Sequence, residues 1–171
     1  MKKIHSFHHK GFTLIELLVV VAIIALLAAT ILASLGSART KARDARTTSE
    51  LSSMRAQAEL FNNDNGFSYG TATTSCGTAG ATAVSAGTLF TSSSADSVYS
   101  LIQDVLINAS GGGTSTNGDV TCNVSSSPTS WAVSAKLQGG AVFCVDSNGT
   151  SKQEPSSILT SATAISSGHC N

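Results

Sequence analysis

A single carboxylate, Glu16, stands inside the most apolar stretch of the chain, which is otherwise uncharged from Phe12 to Leu35. A carboxylate in hydrocarbon costs on the order of a few kcal/mol. It therefore protonates or finds a cation, and a functional role is the default reading for such a residue. Lys2, Lys3 and Lys10 precede the run, with Gly11 between them and Phe12. His5, His8 and His9 lie in the same basic leader, where a solvated segment is a better reading than a metal site. The four cysteines, Cys76, Cys122, Cys144 and Cys170, all lie beyond the run. An even number there reads as two disulfides in an oxidising compartment, ahead of free thiols, with three pairings open. Zinc is disfavoured, because no pair has C-x-x-C spacing and the nearby histidine is His169 alone. Asp146 and Asn148 resemble part of a calcium loop, but no Glu falls at its twelfth position. Gly111-Gly112-Gly113 lacks the G-K-[ST] ending of a phosphate loop. There is no Gly-x-Ser-x-Gly, no carboxylate pair beside a histidine and no zinc spacing, so the chain is read as not an enzyme.

These residues need elements to position them. About 20 apolar residues at about 1.5 Å each span a bilayer, so residues 12–35 read as a transmembrane helix. Lys2, Lys3 and Lys10 keep its start in the cytoplasm. A secretory signal peptide cleaved near Ser34-Leu35-Gly36 is the main rival; the length of the run and Glu16 count against it. A plain anchor leaves Glu16 unexplained. Gly36 is a weak point of about 1 kcal/mol rather than a break. From Ser37 to Asn63 there is neither Pro nor Gly, and Ala38, Ala42, Ala45, Leu51, Met54, Ala58 and Phe61 recur at helical spacing. Residues 36–65 therefore read as an amphipathic continuation that stops at Asn62-Asn63-Asp64-Asn65-Gly66. Arg39, Lys41, Arg43 and Arg46, offset by Asp44, suit lipid headgroups, acidic groups on neighbouring copies, or DNA.

The remainder, residues 66–171, reads as one small head domain. Aromatics make up 5% and charged residues 12% of the 171 residues, which implies a small core under a polar, uncharged surface. Residues 67 to 95 form a long loop tethered by Cys76, with a short element near Val84 to Phe90. Ser94 or Asp96 caps a helix whose stripe is Val98, Leu101, Ile102 and Val105, ending before Asn108. Strands follow at Asp119 to Val124, Trp131 to Leu137 and Ala141 to Val145, with turns at Gln138-Gly139-Gly140 and Asp146-Ser147-Asn148-Gly149. Trp131 reads as a core aromatic. Asn108, Asn123 and Asn148 lie in N-x-[ST] sequons, which a Ser- and Thr-rich chain contains by chance.

Lys10-Gly11-Phe12-Thr13-Leu14-Ile15-Glu16 followed by an apolar helix resembles the N-terminal signal of type IV pilins and of type II secretion pseudopilins. The resemblance is specific over the first third of the chain and looser beyond it. It implies an α+β, pilin-like fold: a long N-terminal helix, half transmembrane and half amphipathic, packed on a small antiparallel sheet. It implies that residues 1–11 are a leader removed by a prepilin peptidase after Gly11, that Phe12 is N-methylated, and that Glu16 guides assembly. Leader removal would leave seven Lys and Arg against ten Asp and Glu, a net charge of −3. The implied partners are other copies of the chain in a helical polymer, the peptidase, an inner-membrane assembly platform with its ATPase, and the membrane before assembly. DNA is a weaker partner, through competence filaments.

No cofactor is implied, although some pseudopilins bind calcium in C-terminal loops. Several pilins carry a C-terminal disulfide loop, which favours Cys144–Cys170 and with it Cys76–Cys122; Cys76–Cys170 with Cys122–Cys144 is next. The expected location is the inner membrane, single-pass with the head outside the cytoplasm, then a surface filament. A pilus subunit is the first reading, favoured by the cysteines and the Ser/Thr-rich head. A secretion or competence pseudopilin is second, favoured by Asp64-Asn65-Gly66, although the tyrosine and proline that often flank it in that family are absent. A secreted binding module or enzyme behind a signal peptide is the alternative of another class.

Overall fold

The computed structural model describes residues 11–73, 76, 88–90, 98–109, 119–155, 165–166 and 169–170. The leader lysines and histidines, residues 84–87 of the element read from Val84 to Phe90, the caps Ser94 and Asp96, and the triple glycine lie outside the described residues; of that element, Thr88, Leu89 and Phe90 are buried and Thr88 bridges to Gly70. The chain divides into two units, Met1–Ala38 and Arg39–Asn171. One helix, α1 (Leu14–Asp64), begins in the first and ends in the second.

In the first unit every described side chain of α1 is exposed, with Leu14 at 80% and Leu32 at 69%. The helix is long and apolar enough to cross a membrane. Its hydroxyls are satisfied internally: Thr30 Oγ1 donates to the Leu27 carbonyl at 2.9 Å and Ser34 Oγ to that of Ile31 at 3.0 Å. That local satisfaction suits a setting without water. The helix runs through Gly36 without a break.

In the second unit α1 buries Thr47, Leu51, Met54, Ala58 and Phe61, a 4-3-4-3 spacing that marks one face. The stripe read from the sequence is only partly this face. Ala42 and Ala45 are exposed, and the buried position a turn before Leu51 is Thr47. The helix ends with Gly66 at φ 68° and the Phe67 N–H donating to the Asn62 carbonyl at 2.8 Å. This six-to-one bond with a left-handed glycine is a Schellman stop.

A second helix, α2 (Tyr99–Ala109), buries Ile102, Val105, Leu106 and Ala109. Four antiparallel strands follow in chain order: β1 (Val120–Val124), β2 (Trp131–Lys136), β3 (Ala141–Asp146) and β4 (Ser151–Pro155). A small pair, β5 (Ile165–Ser166) and β6 (His169–Cys170), completes the described elements. Trp131, Val133 and Ala135 share one core with the buried residues of both helices. The intervening positions Ala132 and Ser134 of β2 are fully buried as well. Ala132 packs with Cys144 and Cys170, so the C-terminal tail covers the second face. β4, Ser-Lys-Gln-Glu-Pro, has no apolar pattern and was not legible as a strand; it forms by pairing with the open edge of β3.

Three polar side chains of α1 fasten two turns and α2 of this unit. The Asp44 carboxylate accepts from the Gln138 N–H at 2.6 Å and the Gly139 N–H at 3.0 Å in the β2–β3 turn. Arg46 reaches Asp104 of α2 at 2.9 Å. Arg55 donates to the Thr150 and Asp146 carbonyls at 2.7 and 3.2 Å in the β3–β4 turn.

Candidate functional site

Gly11, Phe12 and Thr13 precede the first turn of α1. Phe12 is 82% exposed, and a Cβ added to Gly11 would meet nothing within 4 Å. Three hydrogen bonds then organise the helix start. The Thr13 N–H and the Thr13 hydroxyl both donate to Glu16 Oε2, at 2.9 and 2.8 Å. The Glu16 N–H donates back to Thr13 Oγ1 at 3.3 Å. This is a reciprocal capping box, with Thr13 as the N-cap and Glu16 three residues on. It satisfies two amides that a helix start leaves without intrahelical partners.

The chemical consequence concerns the two oxygens of Glu16. Oε2 is occupied within the chain, while Oε1 has no hydrogen-bond partner among the described residues. The side chain is thus held in place and still presents one acceptor to a cation. Thr13 escaped the sequence reading as a functional residue. Its signal was present, since Thr-x-x-Glu before an apolar run is the capping-box pattern.

The cysteines form two bridges. Cys76 joins Cys122 with Cα atoms 5.1 Å apart, and Cys144 joins Cys170 at 6.0 Å. The first ties the long loop to β1, where Thr73 and Val124 also exchange backbone hydrogen bonds. The second ties the tail to β3. Beside it lies Asp146, buried, whose Oδ1 accepts from the Asn148 and Thr150 N–H groups at 3.0 and 2.9 Å. Its Oδ2 accepts from the Cys170 N–H at 3.0 Å. Asn148 Nδ2 meets His169 Nδ1 at 3.0 Å. A calcium ion needs six to eight converging oxygens, whereas this carboxylate is surrounded by N–H donors. The loop therefore fits a tail clasp rather than a calcium site. No group of three or more potential ligands that could hold a metal occurs among the described residues.

Trp131, fully buried, meets Tyr69 edge-on with ring centroids 6.4 Å apart. The Tyr69 hydroxyl donates to Glu59 Oε1 at 2.8 Å. Burial first, then the bond to Glu59 and its charge, push the Tyr69 hydroxyl up to about 12. Both rings are structural parts of the core, not ligand platforms.

A model of the prokaryotic N-terminal methylation motif matches residues 6–32. Over 56 residues the chain is 48% identical to the type IV wide pilus major component PilA4 of Thermus thermophilus. That match covers 33% of this chain and 43% of the relative's length. No solved structure matches the chain. The N-terminal third therefore carries a prepilin-type methylation motif and is similar to a type IV pilin, with Gly11, Phe12, Thr13 and Glu16 all inside the matched segment.

Proposed function

We propose that this chain is the structural subunit of a type IV pilus-like filament. The carrying observation is the capped Glu16 at the head of an exposed apolar helix, immediately after Gly11–Phe12. Hydrolysis of the Gly11–Phe12 peptide bond by a prepilin peptidase leaves a carboxylate on Gly11 and a free amine on Phe12. N-methylation, with the methyl group drawn from a sulfonium donor, yields a secondary amine that remains basic and cationic. That ammonium is the partner a carboxylate in lipid requires. An incoming subunit presents it to Glu16 Oε1 of the subunit before, while Thr13 keeps Oε2. A mis-registered subunit leaves both charges unpaired in hydrocarbon, so the pair sets the stagger. A head-to-tail contact of this kind does not close on itself and propagates as a helix.

In this reading the subunit waits in the inner membrane with its N-terminus cytoplasmic, held by Lys2, Lys3 and Lys10 until cleavage. An assembly platform with its ATPase then extracts it. Mass spectrometry of the mature N-terminus is the test: N-methyl-Phe12 is expected, and a start near Ser37 would mean a secreted domain instead. Glu16→Ala is expected to insert normally and assemble poorly; normal filament yield would sink the assembly role. The helix end at Asp64-Asn65-Gly66 favours a second reading, a secretion or competence pseudopilin. Imaging of sheared surface fibres separates the two.

A further inference from the structure

An Asn-Gly pair is chemically labile, because glycine sets no side chain in the way of its own nitrogen as that nitrogen approaches the asparagine Cγ. The chain contains three such pairs, Asn65-Gly66, Asn117-Gly118 and Asn148-Gly149. Asn117-Gly118 lies outside the described residues. The other two are exposed, each with its glycine in the left-handed region, at φ 68° and 92°. They differ in what holds the amide nitrogen. Asn65 Nδ2 donates to the Phe61 carbonyl at 2.8 Å, a group with no proton to give. Asn148 Nδ2 instead lies 3.0 Å from Nδ1 of His169. Imidazole gives and takes protons near neutral pH. The tail clasp keeps the ring there. Cys170, the next residue, is bridged to Cys144, and its N–H donates to Asp146 Oδ2 at 3.0 Å. Asp146 Oδ1 holds the Asn148 and Thr150 N–H groups, while the N–H between them, that of Gly149, has no partner among the described residues.

We propose that Asn148-Gly149 is a self-modifying site in which His169 is the acid that expels ammonia from the Asn148 side chain. The Gly149 nitrogen loses its proton to water and bonds to Asn148 Cγ. His169, as the imidazolium, passes its Nδ1 proton to Nδ2. The Cγ–Nδ2 bond breaks, ammonia leaves, and the imidazole regains a proton from water. The product is a cyclic imide, with no change of oxidation state. Water then opens the ring, at Cγ to give aspartate or at the backbone carbonyl of residue 148 to give isoaspartate. Either product sets a new carboxylate at the turn that carries His169. The isoaspartyl form also lengthens the backbone by one carbon between the two N–H groups that Asp146 holds. The reaction thus alters the clasp that fastens the tail.

The test ages the full chain, folded in detergent with its disulfides intact, at neutral pH. Peptide mass spectrometry follows each Asn-Gly pair, with Asn65 as the internal reference. Asn148 is expected to convert about ten-fold faster than Asn65, a part of the roughly hundred-fold or more that a positioned proton donor supplies. His169→Gln keeps an acceptor for Nδ2 and removes the acid, so it should bring Asn148 down to the rate of Asn65 or below. Trp131 fluorescence, from the sole tryptophan, verifies that the variant head is folded. Where it is not, the parent chain decides alone. Unfolding in urea takes His169 away, so the Asn148 rate must fall and its advantage over Asn65 must vanish. A turn that merely restrains the pair would instead release it and speed the reaction. The proposal is overturned by a folded-state rate at Asn148 no greater than at Asn65, by an unchanged rate in folded His169→Gln, or by a faster rate on unfolding.

Discussion

At the scale of single residues, the informative pair is Thr13 and Glu16. Glu16 was legible because a carboxylate in an apolar run violates a strong rule. Its tether was not read, because Thr13 looks like an ordinary polar residue at the edge of that run. The three hydrogen bonds give Thr13 a positioning role. Thr13→Val removes the hydroxyl and two of the three bonds while leaving the backbone donor. Filament yield, measured by pelleting sheared fibres, is expected to fall below that of the parent and stay above that of Glu16→Ala. Thr13→Ser should restore it. A Thr13→Val yield equal to the parent's would mean that Glu16 needs no support from its own chain. Asp146 teaches the complementary lesson. With Asn148 it resembled half of an ion site, since sequence spacing shows which oxygens are near one another. It does not show that backbone N–H groups of residues 148, 150 and 170 already surround them.

At the scale of elements, the sequence showed where α1 runs and stops, but not which side of it is buried. Ala42 and Ala45 share the helical period with Leu51 and Met54, and periodicity alone cannot say that the burial stripe passes through Thr47 instead. The difference is testable. Met54→Ala empties a fully buried site and should destabilise the head by roughly 2–5 kcal/mol, whereas Ala45→Ser, at an exposed site, should change stability by less than about 0.5 kcal/mol. Denaturant unfolding of the full chain in detergent, followed by Trp131 fluorescence, measures both. Strands β1 to β3 were legible from alternation and turn residues. β4 was not, because its polar residues carry no pattern and pairing with β3 alone defines it. Tyr69 adds a dependence on pH. Its hydroxyl is raised from 10.0 to about 12 in the folded chain, through burial and Glu59. Between those values the folded state keeps a proton that the unfolded state has lost, so stability must fall as pH rises across that window. Tyrosinate absorbance of a Tyr99→Phe variant should follow Tyr69 alone, because the chain has two tyrosines. Titration of Tyr69 near 10 in the folded protein would remove this contribution.

At the scale of the whole molecule, each of the two units faces a different stability problem. Among its described residues the first has every side chain exposed, so its helix depends on a surrounding medium to cover it. The second has its own core, but that core is small, and its sheet would show one bare face without the tail. The cysteines answer the second problem. They close chain separations of 46 and 26 residues, and in the chain-entropy account each closure stabilises by roughly 3–4 kcal/mol. The tail bridge has the further task of keeping Cys170 over Ala132 and its N–H on Asp146. Cys144→Ser/Cys170→Ser should therefore lower the unfolding free energy of the head by at least the loop term, about 3 kcal/mol, with the tail released together with its hydrogen bonds. The same variant should partition into membranes like the parent, since residues 14–35 belong to the other unit. Trp131 fluorescence in denaturant reads the first quantity, and resistance to alkaline extraction from proteoliposomes reads the second. An unchanged unfolding midpoint would show that the tail is held by its noncovalent contacts alone. Loss of membrane retention would show that the two units do not act independently. The expected result, a weakened head with unchanged membrane partitioning, means that membrane retention and stability of the head are set by separate parts of one chain.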